Sequence, residues 1–461
     1  MNTIIKLALA SAAALCMTSC GDAFFEQYPS NTITEGNHFQ NDNDFNQGVY
    51  CCYKKLKTEM AFYLNELAYR SDECELVSMA VSTQDRYDLD HFEERANNTI
   101  LKSVWNAWYN GIYRCNDVLD HIPGKNIQNG DKYRGECLFL RSWWYFSLYR
   151  VFGTVPVARH VVSPAEAKKI ARCTDEEMYD LLVSDLSEAI SLLPAKRSAE
   201  KARVTKIAAQ ALLGKVYLTF GKYAEAQTVL EDAMKDTGYG LMPTTGDAFN
   251  VANKMNKEII FALYYNKTDD NGHGYWYSTS QSDPKYITNP TSYFKSMYGK
   301  DDNRGPLLTE YTEITKGKLY AIRKWMDTYD ATYTTQVGND FPFIRYADVL
   351  LMYAEALGQQ GRVGDALVYL NKTRTRAGLS GLTEAEVSGK SAFIQALADE
   401  RGKEFALEGQ RWFDLVRLGL AVDYFKGLGY SVDSHNLLFP IPQDQLEIVN
   451  DKSILWQNPG F

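Results

Sequence analysis

The 461-residue chain is poor in the residues that carry most catalytic and metal chemistry. Its six histidines, at 38, 91, 121, 160, 273 and 435, are scattered, and none falls in an H-E-x-x-H or other pair that would put two imidazoles on one helix face. There is no Gly-x-Ser-x-Gly turn to present a nucleophile, no phosphate loop and no dinucleotide fingerprint. The eight cysteines show no C-x-x-C spacing, and the adjacent Cys51 and Cys52 are badly placed to serve one tetrahedral metal, so neither a metal site nor a cofactor is expected. Long Lys/Arg runs are missing too. With 49 basic against 58 acidic residues the net charge is −9, which excludes a phosphate-backbone binder and hence nucleic acid as a partner. Beyond the N-terminus no stretch approaches the ~20 uncharged apolar residues that a membrane span requires.

What is present reads as a folded protein. The chain is 45% hydrophobic and 23% charged, ordinary values for a globular chain whose length allows two to four domains of roughly 100–200 residues. Tyrosine stands out, with 31 copies beside 21 Phe and 8 Trp. A flat apolar ring with a polar tip suits wet recognition surfaces as well as cores. The first twenty residues, MNTIIKLALASAAALCMTSC, place Lys6 before an apolar run from Leu7 to Met17. That run is too short to span and reads as a secretory signal. Met17-Thr18-Ser19-Cys20 resembles a bacterial lipobox, so residues 1–19 are expected to be removed and Cys20 to become the acylated anchor (diacylglyceryl plus an amide-linked chain such as palmitate). Such an anchor holds a soluble-looking chain at a membrane. Cys51, Cys52, Cys74, Cys115, Cys137 and Cys173 then remain. One or two pairs could form, but a core of this size does not need them, and free, mostly buried thiols are the expectation.

Helix pairs are the clearest local pattern. Leu213-Gly214-Lys215-Val216-Tyr217 is followed by Gly221-Lys222-Tyr223-Ala224-Glu225-Ala226, then Leu230 and Ala233. This is close to the tetratricopeptide signature, with Gly221 breaking the first helix and Ala226 expected in the gap left by Gly214. A weaker copy runs from Tyr353-Ala354 through Gly361 to Asp365-Ala366 and Leu370, and Tyr346, Leu350, Tyr353 and Leu357 make one apolar stripe. Amphipathic helices are predicted over 43–60, 103–122, 131–152, 174–193 and 391–420. The i,i+4 pairs Trp105/Tyr109 and Tyr145/Tyr149, with Trp108, Trp143, Trp144 and Trp412, are read as core. Such pairs must stack on neighbours to bury their faces, so a mainly α, tetratricopeptide-like superhelical scaffold is expected. Residues 60–102 and 239–342 lack helical periodicity and are rich in Tyr, Asn, Asp, Thr and Gly, which predicts insertions folded on the scaffold's face. Prolines 440, 442 and 459 forbid a continuous helix at the C-terminus, where an extended tail clamped on the helices is predicted.

Taken together, several segments resemble the SusD/RagB family of Bacteroidetes outer-membrane nutrient-binding lipoproteins. They are FLRSWWYFSLYRVFGTVPV (Phe139 to Val157), RYADVLLMYAEAL (Arg345 to Leu357), LNKTRTRAGL (Leu370 to Leu379), ERGKEFALEGQRWFDLVRLG (Glu400 to Gly419) and LFPIPQDQ with QNPGF at the end. WNAWYNGIYRCNDVL (Trp105 to Leu119) and the lipobox followed by the Pro29 segment fit as well. The resemblance covers the whole mature chain and implies one SusD-like domain over 20–461, with irregular insertions at about 60–102 and 239–342. It further implies a surface lipid anchor, a SusC-like TonB-dependent outer-membrane transporter as partner, and capture of an oligosaccharide or another nutrient for loading into that transporter.

A glycosidase would need two carboxylates ~5–10 Å apart across a sugar. The best cluster, Asp399, Glu400, Glu404, Glu408 and Asp414, alternates with Arg401, Lys403, Arg411 and Arg417 at helical steps, which reads as helix ion pairs; catalysis is not expected. A glycan binder needs only aromatic faces and planar polar groups. Tyr275-Trp276-Tyr277, flanked by Asn271, Gly272 and Gly274, is the leading candidate platform, and Asp72, Arg86, Tyr87 and His91 add a second group with Tyr69. Peptide or glycopeptide cargo, or a purely protein-binding adaptor, are the alternatives carried forward.

Overall fold

The computed structural model describes residues 39–76, 84–197, 200, 202–265, 288–313, 317–322, 324 and 338–461; residues 1–19 and Cys20 lie outside these. The first helix, α1 (Asp42–Tyr53), starts at Asn41, whose side chain accepts from the Asn43 and Asp44 amides while Asp44 reaches back to the cap. A two-residue turn separates it from α2 (Leu56–Ala61), which ends in a π-helical turn over Phe62–Glu66, so the helix predicted over 43–60 is two. Strand β1 (Cys74–Leu76) and α3 (Gln84–His91) come next. The long helices follow: α4 (Thr99–His121), α5 (Gly130–Phe152) and α6 (Asp175–Leu192). Helix α6 carries a capping box of Thr174 and Glu177 and three acids in its first turn, where the helix dipole favours them.

The expected pairs are α7 (Lys206–Thr219) with α8 (Tyr223–Ala233), and α9 (Tyr346–Gln359) with α10 (Val363–Arg376). Gly221 and Gly361 both turn in the left-handed region, at φ +68° and +81°, which ends the first helix of each pair. The gap at Gly214 is filled by Leu230 and not by Ala226: a Cβ at 214 would sit 2.5 Å from a Leu230 methyl. Gln227 on α8 joins the pairs by hydrogen bonds from Gln360 and Arg362. One buried cluster runs through the molecule from Phe39 to Leu455 and takes in Trp105, Trp108, Trp143, Trp144 and Trp412, as expected of core rings. The six remaining cysteines are free, and all but Cys51 are buried.

Among the described residues the strands form three two-stranded antiparallel ribbons. Strands β2 (Ile259–Leu263) and β6 (Phe341–Arg345), both buried throughout, pair with each other, and β6 runs directly into α9. The two ends of the long insertion are therefore fastened to the scaffold. Strand β3 (Thr288–Pro290) pairs with β1, and β4 (Leu308–Glu313) with β5 (Gly317–Ile322).

The helix predicted over 391–420 is broken. Helix α11 (Gly389–Glu404) gives way to a turn with Leu407 at φ 61° and Gly409 at φ 71° before α12 (Arg411–Arg417) and α13 (Ala421–Gly427). A Cβ at 409 would lie 2.5 Å from the Tyr63 side chain, so the chain approaches the π-helical turn as only glycine allows. The tail is clamped as expected, by Phe439 N to Val151 O (2.8 Å) and Arg172 N to Ile454 O (3.0 Å). It is not wholly extended, because a two-turn helix, α14 (Gln443–Val449), starts just after Pro442, a position where a missing N–H costs nothing.

Candidate functional site

The two irregular regions marked out in the sequence meet in the fold. Strand β1 closes the first half of region 60–102, and β3 is where the described chain resumes after 266–287; they pair as Cys74↔Pro290, Glu75↔Asn289 and Leu76↔Thr288. Thr291 locks this ribbon, its hydroxyl donating to Asp72 O at 2.5 Å and its amide to Glu73 O at 3.2 Å. Helix α3 is tied to the same ribbon by Leu76 N, which donates to Asp90 Oδ2 at 3.4 Å.

Beneath the ribbon the charged groups face one another and not solvent. Asp72 is 3% exposed, and its carboxylate takes a forked pair from Arg411, Nε to Oδ1 at 3.0 Å and Nη2 to Oδ2 at 2.9 Å, and a hydrogen bond from the Tyr424 hydroxyl. This corrects the expectation that Asp72 faces a ligand: its oxygens are committed inside the protein. Arg70 is fully buried, forked onto Glu94 at 2.7 Å and enclosed by the rings of Phe92, Trp412 and Phe439. Glu73 accepts from Leu407 N at 2.8 Å, and burial, with Asp72 beside it, pushes its carboxyl up to about 8. Asp90 is likewise raised by burial, to about 6, although His91 opposes the shift.

Around this floor stand half-buried rings. Tyr87 and His91 stack at 3.8 Å with an 18° interplanar angle on α3, and His91 Nδ1 lies 3.1 Å from Tyr87 O. Arg86, one residue away, is forked onto Glu66 through Nε and Nη2, which commits those donors and fastens the start of α3 to the π-helical turn. Tyr293 meets Tyr424 edge-on at 5.7 Å, and Tyr430 packs on Phe92 at 5.4 Å. Sequence reasoning missed Tyr293, Tyr424 and Tyr430. Only the position of Tyr293, just after the β3 segment, hinted at it; the other two arrive from α13 and the turn after it. Tyr275, Trp276 and Tyr277 lie outside the described residues. The arrangement sets half-buried rings over a floor of internally paired charges, a combination that suits a ligand with alternating C–H faces and hydroxyls.

In the acidic cluster at 399–414, Asp399 is half-buried and accepts from Gln395 one turn back, whereas Glu400, Glu404, Glu408 and Asp414 form a buried network whose partners come mostly from other elements, not from i,i+4 neighbours. Glu404 meets Arg345 at 3.0 Å, Arg304 at 3.3 Å and also Arg376; Glu400 meets Arg304 at 2.8 Å; Glu408 meets Lys324 at 2.6 Å and Arg345 at 2.8 Å. Burial alone would raise the Glu404 carboxyl, yet the guanidiniums of Arg376, Arg345 and Arg304 hold it down at about 2. These carboxylates brace α11 against β6 and α10. Among the described residues no group of histidine, cysteine and acidic side chains is arranged to hold a metal, and no helix is long and apolar enough to cross a membrane.

Comparison with known proteins returns a consistent set. The family model described as "SusD family" matches residues 286–461, and one described as "Starch-binding associating with outer membrane" matches residues 24–218. SusD-like protein P2 of Formosa agariphila is 24% identical over 504 residues, covering 97% of this chain and 98% of that protein. Among solved structures, a SusD superfamily protein from Bacteroides vulgatus has a TM-score of 0.80 at 24% identity, covering 92% of this chain and all of that one. A laminarin binding SusD-like protein has a TM-score of 0.77, also at 24% identity and with the same coverage. The tetratricopeptide-like scaffold with loop-rich insertions is thus a shared fold.

Proposed function

The chain belongs to the SusD family, and from that premise we propose that it is a non-catalytic cell-surface lipoprotein that captures glycan and delivers it to a SusC-like TonB-dependent outer-membrane transporter. The observation that carries the capture reading is the ring-lined floor where β1, β3 and α3 meet, with Tyr87 stacked on His91 and Arg86 held at its side. Stacking on sugar faces needs accessible ring area, and half-buried rings already held by their neighbours would be ordered at little further cost on binding. The starch-binding description of the matched family model and the laminarin-binding relative support a saccharide ligand. The non-catalytic reading is supported by the acidic cluster, whose carboxylates are paired with guanidiniums and a lysine. Arg86, Tyr87 and His91, with Tyr275, Trp276 and Tyr277, are the proposed ligand contacts, and Cys20 the proposed lipid anchor, on one domain spanning 20–461.

The test is calorimetric titration of the chain with a broad panel of neutral glycans. A hit should weaken by about tenfold, or ~1.4 kcal/mol, in Tyr87→Ala and in Trp276→Ala, with the melting temperature unchanged. A hit indifferent to both substitutions would leave capture standing and move the site. No hit on the panel would put peptide cargo or transporter docking ahead.

A further inference from the structure

A second concave feature takes no part in the capture reading. A cleft of about 580 Å³ opens between the C-terminal end of α5, helices α7 and α12, and the C-terminal tail. Cations crowd it: Arg150, Arg172, Lys215 and Arg417 all line its wall. Two of them are matched, Lys215 with Asp348 at 2.7 Å, and Arg417 with Asp414 at 2.8 Å and with Glu355.

The other two are not. Arg172 directs its donors at neutral oxygens, the carbonyls of Thr154 (2.8 Å) and Trp456 (2.7 Å) and the side chain of Asn458 (2.9 Å). Arg150 makes one hydrogen bond, from Nη2 to the Tyr63 hydroxyl at 2.5 Å, and its buried Nε has no partner among the described residues. Its neighbour Glu59 is a poor counter-ion, because burial raises that carboxyl to about 7. The acids on the lining are already engaged, Asp175 by the Tyr149 hydroxyl at 3.0 Å and Asp414 by Arg401 and Arg417. Arg150 and Arg172 therefore line the recess with no carboxylate hydrogen-bonded to either among the described residues, Asp175 being the one lining acid without a cation in contact, and low dielectric there strengthens the attraction of these guanidiniums for an anion.

The walls say what the anion is attached to. Trp456 is 41% exposed and lies over Arg172, 4.8 Å from guanidinium carbon to ring centre, and Phe413 backs Arg150 at 4.1 Å. Arg150, with donors left uncommitted, and a partly exposed indole over Arg172 line the same recess, which suits a ring bearing a planar or tetrahedral anion. The volume falls within the ~300–1,000 Å³ of small-molecule sites. We propose that this cleft binds an acidic sugar, a uronate or a sulfated residue, with Arg150 on the anion, Arg172 adding charge and Trp456 against the ring. That the ring is a sugar rests on the capture reading; the preference for an anion rests on the cleft alone.

The test titrates the full chain with glucuronate, glucose 6-sulfate, glucose and inorganic sulfate, beside Arg150→Gln and Trp456→Ala. Both acidic sugars should bind, glucose should bind at least about tenfold more weakly, and Arg150→Gln should abolish the difference. Trp456→Ala changes a partly exposed ring and keeps the test open if Arg150→Gln fails to fold; it should weaken the acidic sugars and leave inorganic sulfate unaffected. The proposal is overturned by glucuronate and glucose binding alike, by acidic-sugar binding that survives both substitutions, or by sulfate binding without either acidic sugar. Neutral glycans that bind and respond to Tyr87→Ala, with no acidic sugar bound, would sink the cleft and keep the capture site. Acidic sugars that bind through Arg150 with no neutral glycan bound would do the reverse.

Discussion

Glu73 lies in the floor of the candidate site and offers a sharp test of how that floor is held. It is 2% exposed, accepts from Leu407 N at 2.8 Å through Oε1, and has the Ser71 hydroxyl 3.3 Å from Oε2. Burial first, and then Asp72, raise its carboxyl from 4.5 to about 8, against the pull of Arg411 and Lys324. In the unfolded chain the group loses its proton near pH 4.5, while in the folded protein it keeps the proton to about pH 8. The native state thus binds more protons in this window, so stability is lost as pH rises, by about 1.4 kcal/mol for each pH step. Between pH 4.5 and pH 7 that amounts to roughly 3 kcal/mol as an upper bound. Glu73→Gln removes the titration and keeps the geometry, because the amide oxygen can accept from Leu407 N and the amide NH₂ can donate to Ser71. Urea unfolding of both proteins at pH 5, 6, 7 and 8 should give similar stabilities at the acid end and a growing advantage for Glu73→Gln toward pH 8. A difference between the two that stays flat across that range, or a Gln variant less stable throughout, would refute the reasoning.

Other substitutions probe other links. Gly214→Ala must displace Leu230, 2.5 Å from the new carbon, and overpacking should outweigh the ~1 kcal/mol gain in helix propensity, for a net loss of about 1–2 kcal/mol by chemical denaturation. Arg411→Met strands the buried Asp72 carboxylate and should cost about 3–5 kcal/mol, whereas adding Asp72→Asn should recover part of it, since a neutral amide replaces the unpaired charge; an additive double variant would contradict the pairing. Asn458→Ala removes donors to Phe152 O (3.0 Å) and Phe439 O (2.7 Å) and the acceptor for Arg172. Limited proteolysis should then cut the tail beyond Phe439 well before the helices, and unchanged cleavage would show that the tail is held elsewhere.

Helix pairs, their glycine breaks and the aromatic core were legible in the chain because they depend on neighbours three to eight residues apart. Periodicity places Tyr346, Leu350, Tyr353 and Leu357 on one stripe, and Gly221 and Gly361, at the point where one helical pattern stops and the next restarts, mark the breaks of the two pairs. The family resemblance came from the same local strings. Partner choice is a different matter. Asp72 looks like a loop carboxylate until the fold brings Arg411, 339 residues away, onto it. Glu404 looks like half of a helix ion pair until its face turns inward onto Arg345 from β6 and Arg304 from the insertion. The break at 405–410 inside an apparently continuous helix is likewise set from outside, by Tyr63 pressing against Gly409. Local sequence therefore determined which segments are helical, where the pairs turn and which rings are apolar enough to bury. Tertiary structure decided which charges neutralise each other, which two irregular regions share a ribbon, and which cations in the tail cleft are left without a carboxylate. The physical reason is range: backbone propensity and periodicity act within a few turns of helix, whereas the pairing of a buried charge depends on whatever side chain the fold carries to within a hydrogen bond of it.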